Sequence, residues 1–421
     1  MYSTLNACSV GVKGQRSYAG EVDFSYASLR RFPDVEAPNL QAWDATDELL
    51  VQRALAAGVD GAEITVIGDE YGAITLALAD AGRAGIRVHQ DLATGRRALA
   101  SNAAAAGLEG FVSKELEPAL LEGARLVLLQ LPKSLAELEE ISDAVARWAA
   151  PDVTLIAGGR VKHMTLAQNG VLGRSFENVQ PQRAERKSRL IVASGAREVP
   201  VEPPYPVAEP VEVPGRVEAL TLVAHGGAFA GARVDIGTRV LLEVLSGEER
   251  LRLPSVAHPV SSSALRASAQ RPATGASTPT VVDLGCGTGA LAAAYALAHS
   301  EAHVIATDRS AAAVASARAT MLANGIQDRV TVTHDDAGSE IPDHAADLVL
   351  LNPPFHLGAS IHTGAATRLF DAAARILRPG GELLTVYNSH LAYKPELTRR
   401  IGPTEQLHRT PKFTVTRSIR R

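Results

Sequence analysis

Residues 280–298, TVVDLGCGTGALAAAYALA, decide the fold. A run of β-branched and aliphatic residues ends in a glycine turn, and an alanine-rich helical stretch follows at once. Strand, glycine turn and helix form the opening unit of a doubly wound parallel sheet, whose ligands bind beyond the carboxyl ends of the strands. Asp283 closes the strand, and Gly285, Gly287 and Gly289 let the backbone approach a ligand while the helix N-terminus favours a carboxylate or phosphate. The dinucleotide fingerprint is the competing reading, but its third glycine would fall at Ala290. Cys286, inside the turn, reads as a small packing residue.

Moving outward, the same rhythm continues through HVIATD, AAAVASARATMLANG, RVTVTH and ADLVLLNPP. GELLTVY and KFTVTRSI close the chain as an expected pair of strands at the edge of the sheet. Asp308, at the tip of HVIATD, is placed to accept hydrogen bonds from two ribose hydroxyls, with a helix N-cap as the alternative. Asp335 and Asp336 follow the strand VTVTH, where a side chain meets an adenine amino group; Asp336 is preferred, and a loop carboxylate with no ligand is the other reading.

Asn352-Pro353-Pro354-Phe355 is the most specific signal. An amine conjugated to a ring or carbonyl has a delocalised lone pair, so it needs positioning more than a strong base. The Asn352 side-chain oxygen and the Pro353 backbone oxygen each suit one N–H, Phe355 suits stacking on a flat group, and the prolines stiffen the loop. Together with the glycine turn and Asp308, this implies S-adenosylmethionine as cofactor and a planar amino nitrogen as acceptor. The bland alternative is a sharp turn with Phe355 in the core. His356 reads as a solvated neighbour, and neither a metal site nor a Ser/His/Asp arrangement is indicated.

At 421 residues the chain implies more than one domain. EVPVEPPYPVAEPVEVPG, residues 198–215, is rich in proline and reads as a stiff connector, with the linker proper at 198–214. It separates a domain at 29–197 from a catalytic one at 215–421; residues 1–28 read as a tail, and 246–279, rich in Ser, Ala and Pro, as a mobile insertion. The first half repeats the layout of the second. AEITVIGDEYGAITLALA matches TVVDLGCGTGALAAAYAL, Asp91 lies 19 residues past Gly72 as Asp308 lies 19 past Gly289, and LVLLQLPKS stands where LVLLNPPFH stands later. An internal duplication is the inference, chance similarity of two parallel-sheet domains the alternative. The first copy carries Val66 for Asp283, Glu70 for Gly287 and Gln130-Leu131-Pro132 for Asn-Pro-Pro. A carboxylate in that loop repels a ligand carboxylate, so no cofactor is expected there.

The formal charge of −4 argues against indiscriminate coating of nucleic acid, but two stretches are locally basic. Residues 391–421 hold eight Lys or Arg against two Glu, and 160–189 hold seven against two. Both are candidate RNA contacts, with Arg186, Lys187, Arg189 and Lys412 singled out; a solvated surface is the other reading. No apolar run suits a membrane span and the N-terminus lacks a signal-peptide core, which suggests a cytoplasmic protein. Cys8 and Cys286 sit in unlike contexts and indicate no disulfide.

These motifs resemble those of the bacterial ribosomal RNA guanine-N2 methyltransferases, most closely the large-subunit branch. LRRFPDVEAPNLQAWDATDELL is similar to its N-terminal signature, and GAFAGARVDIGTRVLL, VVDLGCGTGAL, LLNPPFH and HLAYKPEL...KFTV to its catalytic half. The resemblance implies two tandem class I methyltransferase-like, Rossmann-like α/β domains, the first degenerate and suited to docking RNA. It also implies S-adenosylmethionine-dependent methylation of a guanine N2 in rRNA, most closely 23S, with no membrane or protein partner. By it, Phe229, Asp235, Gly237 and Thr238 belong to a segment closing over the cofactor. Alternatives are the 16S enzyme, a protein-glutamine or DNA-adenine methyltransferase, and a ribosome-assembly factor without essential chemistry.

Overall fold

The computed structural model describes residues 24–247, 278–354 and 362–421, the side chains of 362–365 excepted. In the first domain α1 (Ala45–Ala57) precedes β1 (Ile64–Ile67), α2 (Ala73–Asp80), β2 (Ile86–His89), α3 (Ala93–Ala106), β3 (Phe111–Ser113) and α4 (Pro118–Leu121). Then come β4 (Leu126–Gln130), α5 (Leu135–Trp148), β5 (Thr154–Arg160), α6 (Leu166–Ser175), β6 (Phe176–Pro181) and β7 (Ser188–Ala196). These strands form one sheet in the order β3-β2-β1-β4-β5-β7-β6, parallel except at β7 and β6. β1 is buried along its whole length because helices cover both faces, which is why it reads as an unbroken apolar run.

The second domain begins with a two-stranded antiparallel sheet of β8 (Val207–Val211) and β9 (Leu220–Ala224), followed by α7 (Ile236–Gly247). Its main sheet is built from β10 (Thr280–Leu284), α8 (Ala290–Ala298), β11 (His303–Asp308), α9 (Ala311–Ala323), β12 (Val330–His334), β13 (Ala346–Leu351) and α10 (His362–Ile376). β14 (Leu377–Asn388), α11 (Lys394–Arg400), β15 (Thr404–Arg409) and β16 (Phe413–Ile419) complete it. The strand order, β12-β11-β10-β13-β14-β16-β15, reproduces that of the first domain position by position.

Three sequence expectations are corrected. The segment 198–214 is more than a connector: its residues 207–211 form β8, and Pro210 is tolerated because a two-stranded sheet has only edges. The tail does not run to residue 28, since Phe24 and Tyr26 pack on the first domain's core and Tyr26 lies against Trp43 with ring centroids 5.2 Å apart. GELLTVY is an inner strand, and the edge belongs to β15, TEQLHR, whose polar, mostly exposed residues carry no strand period. Cys8 and nearly all of the insertion, 248–277, lie outside the described residues. No helix among the described residues is long and apolar enough to cross a membrane.

The two domains meet through equivalent loops, the one after β2 and the one after β11. Ala93 N donates to Arg309 O and Ala311 N donates to Asp91 O, both at 2.8 Å, around an antiparallel bridge of Leu92 with Ser310. Asp91, the counterpart of Asp308, accepts hydrogen bonds from Ser310 Oγ at 3.0 Å and Ala312 N at 2.9 Å. It therefore caps α9 of the other domain, where the helix dipole favours a negative charge. His225 and Gly226 N add a second tie through Glu140 of α5. The Asp91→Ala variant is expected to lower stability by about 1 kcal/mol, read as a shift of the denaturation midpoint, and Asp91→Asn by less.

Candidate active site

The sheet order reverses at β10, with β11 on one side and β13 on the other, and a cleft opens beyond the carboxyl ends at that point. Register brings the key residues into one row. Leu284 pairs with Thr307, and Asp283 with Leu350, so Gly285, Asp308 and Asn352 emerge side by side from three adjacent strands. They line a cavity of about 380 Å³ together with Phe229, Asp235, Thr238, Gly287, Asp335, Asp336, Pro353 and Pro354.

The glycine turn folds back on Asp308. Gly285 N and Cys286 N donate to Thr307 O, and Gly287 N donates to Asp308 Oδ2 at 2.9 Å. Asp308 Oδ1 accepts from Ser310 N at 2.9 Å, while the N-cap of α9 is Ser310. Burial raises the Asp308 pKa above the carboxylate norm. Gly289 has φ +80°, and a Cβ there would lie 2.7 Å from Met321 Cε, so the turn admits only glycine; at Gly285 and Gly287 the space a Cβ would take is open. Cys286 is buried, in keeping with a packing role.

Asp283, almost wholly buried, turns Oδ2 to Ala292 N at 3.0 Å and leaves Oδ1 without a partner among the described residues. Burial, with a smaller contribution from the Asp308 charge, pushes its pKa up to about 7.

The Asn352 amide is held from one end. Its Nδ2 donates to Thr238 Oγ1 at 3.0 Å and to both Asp235 oxygens at 3.2 and 3.3 Å. Asp235 Oδ1 is itself fixed by Gly237 N at 2.9 Å and Thr238 N at 3.3 Å, at the start of α7. A Cβ on Gly237 would sit 3.2 Å from Asn352 Oδ1, so a side chain there would press on the amide. The result is a buried Oδ1 with no partner among the described residues. Phe229 also lines the cavity and is 64% exposed, at its mouth. Phe355 and His356 lie outside the described residues.

The two aspartates after β12 differ. Asp335 accepts from Arg97 Nη2 of the first domain at 2.7 Å, Ser339 Oγ at 2.6 Å and Glu340 N at 2.8 Å. Both of its carboxylate oxygens accept within the chain, so Asp335, which lines the cavity, also ties the cavity wall to the first domain. Asp336 lines the cavity and pairs with Arg368 of α10. Arg97 and Arg368 carried no signal in the sequence, since each gains its role only from a partner distant along the chain.

Among the residues marked for RNA, Arg186 is paired with Glu48, Arg189 is half-buried on β7, and Lys187 and Lys412 are exposed. In the first domain, Glu70 occupies the place of Gly287 and is exposed. Tyr71 follows it, its hydroxyl 2.9 Å from Asp34 and its ring under the Arg31 guanidinium at 4.5 Å. The cleft beside Gly68 is narrowed to about 220 Å³ by Ala311–Arg318 of α9. No cluster suited to a metal ion occurs among the described residues.

A family model described as the methyltransferase small domain matches residues 264–417, and one described as the RLMG N-terminal domain matches residues 19–197. The ribosomal RNA large subunit methyltransferase G of Streptomyces coelicolor is 33% identical over 401 residues, covering 93% of this chain and 97% of that protein. The protein of the same name from Pseudomonas aeruginosa is 33% identical over 396 residues, with 93% and 97% covered. Among solved structures, the T. thermophilus 16S rRNA N2 G1207 methyltransferase in complex with AdoMet and guanosine has the same fold. It gives a TM-score of 0.68 at 22% identity, with 90% of this chain and 92% of that chain covered.

The Asp283 pKa has a testable sign. A carboxyl whose folded value of about 7 exceeds its ordinary value of 3.8 contributes stability at low pH that is lost as pH rises through about 7. Denaturation midpoints of the ligand-free protein are expected to drift against the wild type, relative to Asp283→Asn, between about pH 4 and pH 7; parallel curves would exclude the shift.

Proposed function

We propose, from the premise that this chain belongs to the ribosomal RNA large subunit methyltransferase G family, that it transfers the methyl group of S-adenosylmethionine to the exocyclic N2 of a guanine in rRNA. The substrate we assign within rRNA is 23S, on the strength of the name its relatives carry. The carrying observation is the open Oδ1 of Asn352 beside the glycine turn.

S-adenosylmethionine, when bound, supplies an electrophilic methyl group. The cavity suits it: an open backbone surface at Gly285 and Gly287, a carboxylate at Asp308 for the ribose hydroxyls, Asp336 toward the adenine edge, Thr238 buried in the wall and Phe229 at the mouth. Asp283 supports the turn from beneath through Ala292 N.

The guanine N2 lone pair is conjugated with its ring, so orientation decides the rate. With Nδ2 occupied by Asp235 and Thr238, the Asn352 amide presents only its oxygen to an incoming N–H. The Pro353 carbonyl takes the second N–H, and Phe355 stacks on the base. S-adenosylmethionine would supply the carbon for the new bond to N2, and the surplus N2 proton leaves to solvent. Asp235 acts as a positioning residue because it fixes which end of the Asn352 amide faces the substrate.

The first domain binds no cofactor in this reading, because Glu70 sets a carboxylate in the turn where a ligand carboxylate would lie and α9 lines the cleft beside it, and its exposed Lys187 helps dock RNA. Titration calorimetry on the full chain is expected to give one S-adenosylmethionine per chain; two sites would overturn this part.

Labelled methyl transfer to unmodified 23S and 16S rRNA, with nucleoside analysis, tests the activity. N2-methylguanosine in 23S rRNA is expected, and label confined to 16S rRNA, DNA or protein would reassign the substrate. Asn352→Ala is expected to lower kcat by roughly 10²–10³-fold, the usual loss when one preorganised hydrogen bond is removed, with cofactor affinity nearly kept.

A further inference from the structure

We infer that Lys394, Arg409 and Lys412, with His390, form a phosphate-binding ledge that holds the RNA backbone flanking the target guanine; this rests on the rRNA reading above. Of the eight cations in residues 391–421, five are tied within the fold. Arg399 and Arg400 meet Glu396, Arg400 also meets Asp371, and Arg417 meets Glu382 and Glu405. Arg420 donates to Ala374 O and Arg421 to Thr398 O. The remaining three, Lys394, Arg409 and Lys412, are exposed and have no ion-pair partner among the described residues.

These three gather in one place. Ser389 N donates to Lys412 O at 2.8 Å, which sets Lys412 beside His390. Tyr387, Thr414 and Arg409 form one row across β14, β16 and β15, and side chains in such a row share a face. Tyr393, next to Lys394, packs on Tyr387 on that same face, with ring centroids 5.4 Å apart. The tight turn between β15 and β16, closed by Thr410 N to Phe413 O at 2.7 Å, holds Lys412 at its tip.

The ledge stands on the edge of the sheet that carries the active site. β14 runs parallel to β13, with Leu351 opposite Thr385, so its end at Asn388 extends past Asn352 on the same side. β16 and β15 lie two and three strand positions from β13, roughly 10 to 15 Å at the usual strand spacing. An extruded base seated at Asn352 leaves its flanking phosphates to run across the neighbouring surface.

Charge along this edge is divided. At the ends of β11 and β12 the carboxylates are engaged, Asp335 with Arg97 and Asp336 with Arg368, while the cations at the ends of β14, β16 and β15 have no ion-pair partner among the described residues. A polyanion is drawn to the side whose cations are unpaired. Nearby carboxylates on the cationic side, Glu396 and Asp371, are neutralised by Arg400.

The test is the salt dependence of binding to a 23S rRNA fragment by wild type and by the triple variant Lys394→Gln, Arg409→Gln, Lys412→Gln. Loss of three phosphate contacts is expected to flatten the slope of log K against log salt by about 2 and to weaken binding between about ten- and a hundredfold at physiological salt. Calorimetric affinity for S-adenosylmethionine is expected to stay at the wild-type value. The pair Arg53→Gln, Arg125→Gln, on exposed first-domain sites away from this edge, removes two positive charges against the three of the triple variant and is expected to keep the wild-type slope if position rather than overall charge matters. An unchanged slope in the triple variant, an equal loss in the control, or a parallel loss of cofactor affinity would each overturn the ledge. A wild type that binds the fragment without methylating it would count against the substrate reading, leaving the slopes to decide the ledge.

Discussion

Parallel strands with helical crossovers all end on one edge, and that constraint organises this protein. Nothing on the opposite edge can contribute to the site, because the side chains that emerge from β10, β11 and β13 at the same level are those that follow Leu284, Thr307 and Leu351. Reversal of strand order at β10 parts the helices there and leaves the cavity. The glycine turn, Asp308 and Asn352 are three consequences of one register.

The two halves share that constraint and use it differently. In the second domain the edge is open and its polar groups keep unused capacity, at Asn352 Oδ1 and Asp283 Oδ1. In the first domain the matching groups are consumed. Asp69 accepts from Gly72 N and Thr75 N, so a loop carboxylate does for α2 what the strand residue Asp283 does for α8. Asp91 caps α9 of its neighbour where Asp308 stays in the cleft. A binding edge has become a docking edge, and the docked partner is the catalytic domain, with Arg97 reaching Asp335 in the cavity wall.

Polar groups inside such a site are expensive unless each is assigned, which explains the economy around Asn352. Asp235 starts α7, satisfies two backbone N–H groups and orients the amide with the same carboxylate. Gly237 leaves room for that contact. Sequence resemblance placed these residues near the cofactor, whereas the geometry links them to the acceptor side as well.

Much of the architecture was legible in the chain. The runs TVVDLG, HVIATD and LVLL became the inner strands β10, β11 and β13 because a strand covered on both faces needs an apolar run, RVTVTH became the edge strand β12 through its alternating β-branched residues, and the glycine turn and Asn352 follow the inner runs directly. β8 and β15 were missed because edge strands face water and need no apolar pattern. The sequence by itself determined the two sheets, the turn and the asparagine loop, all set by neighbours a few residues apart. Tertiary structure decided which carboxylates are spent and which cations stay free. Asp335 meets Arg97 from 238 residues away, Asn352 meets Asp235 from 117, and Arg186 meets Glu48 from 138. A charge or hydrogen-bonding atom is available only when no partner reaches it, and that is a property of the folded neighbourhood.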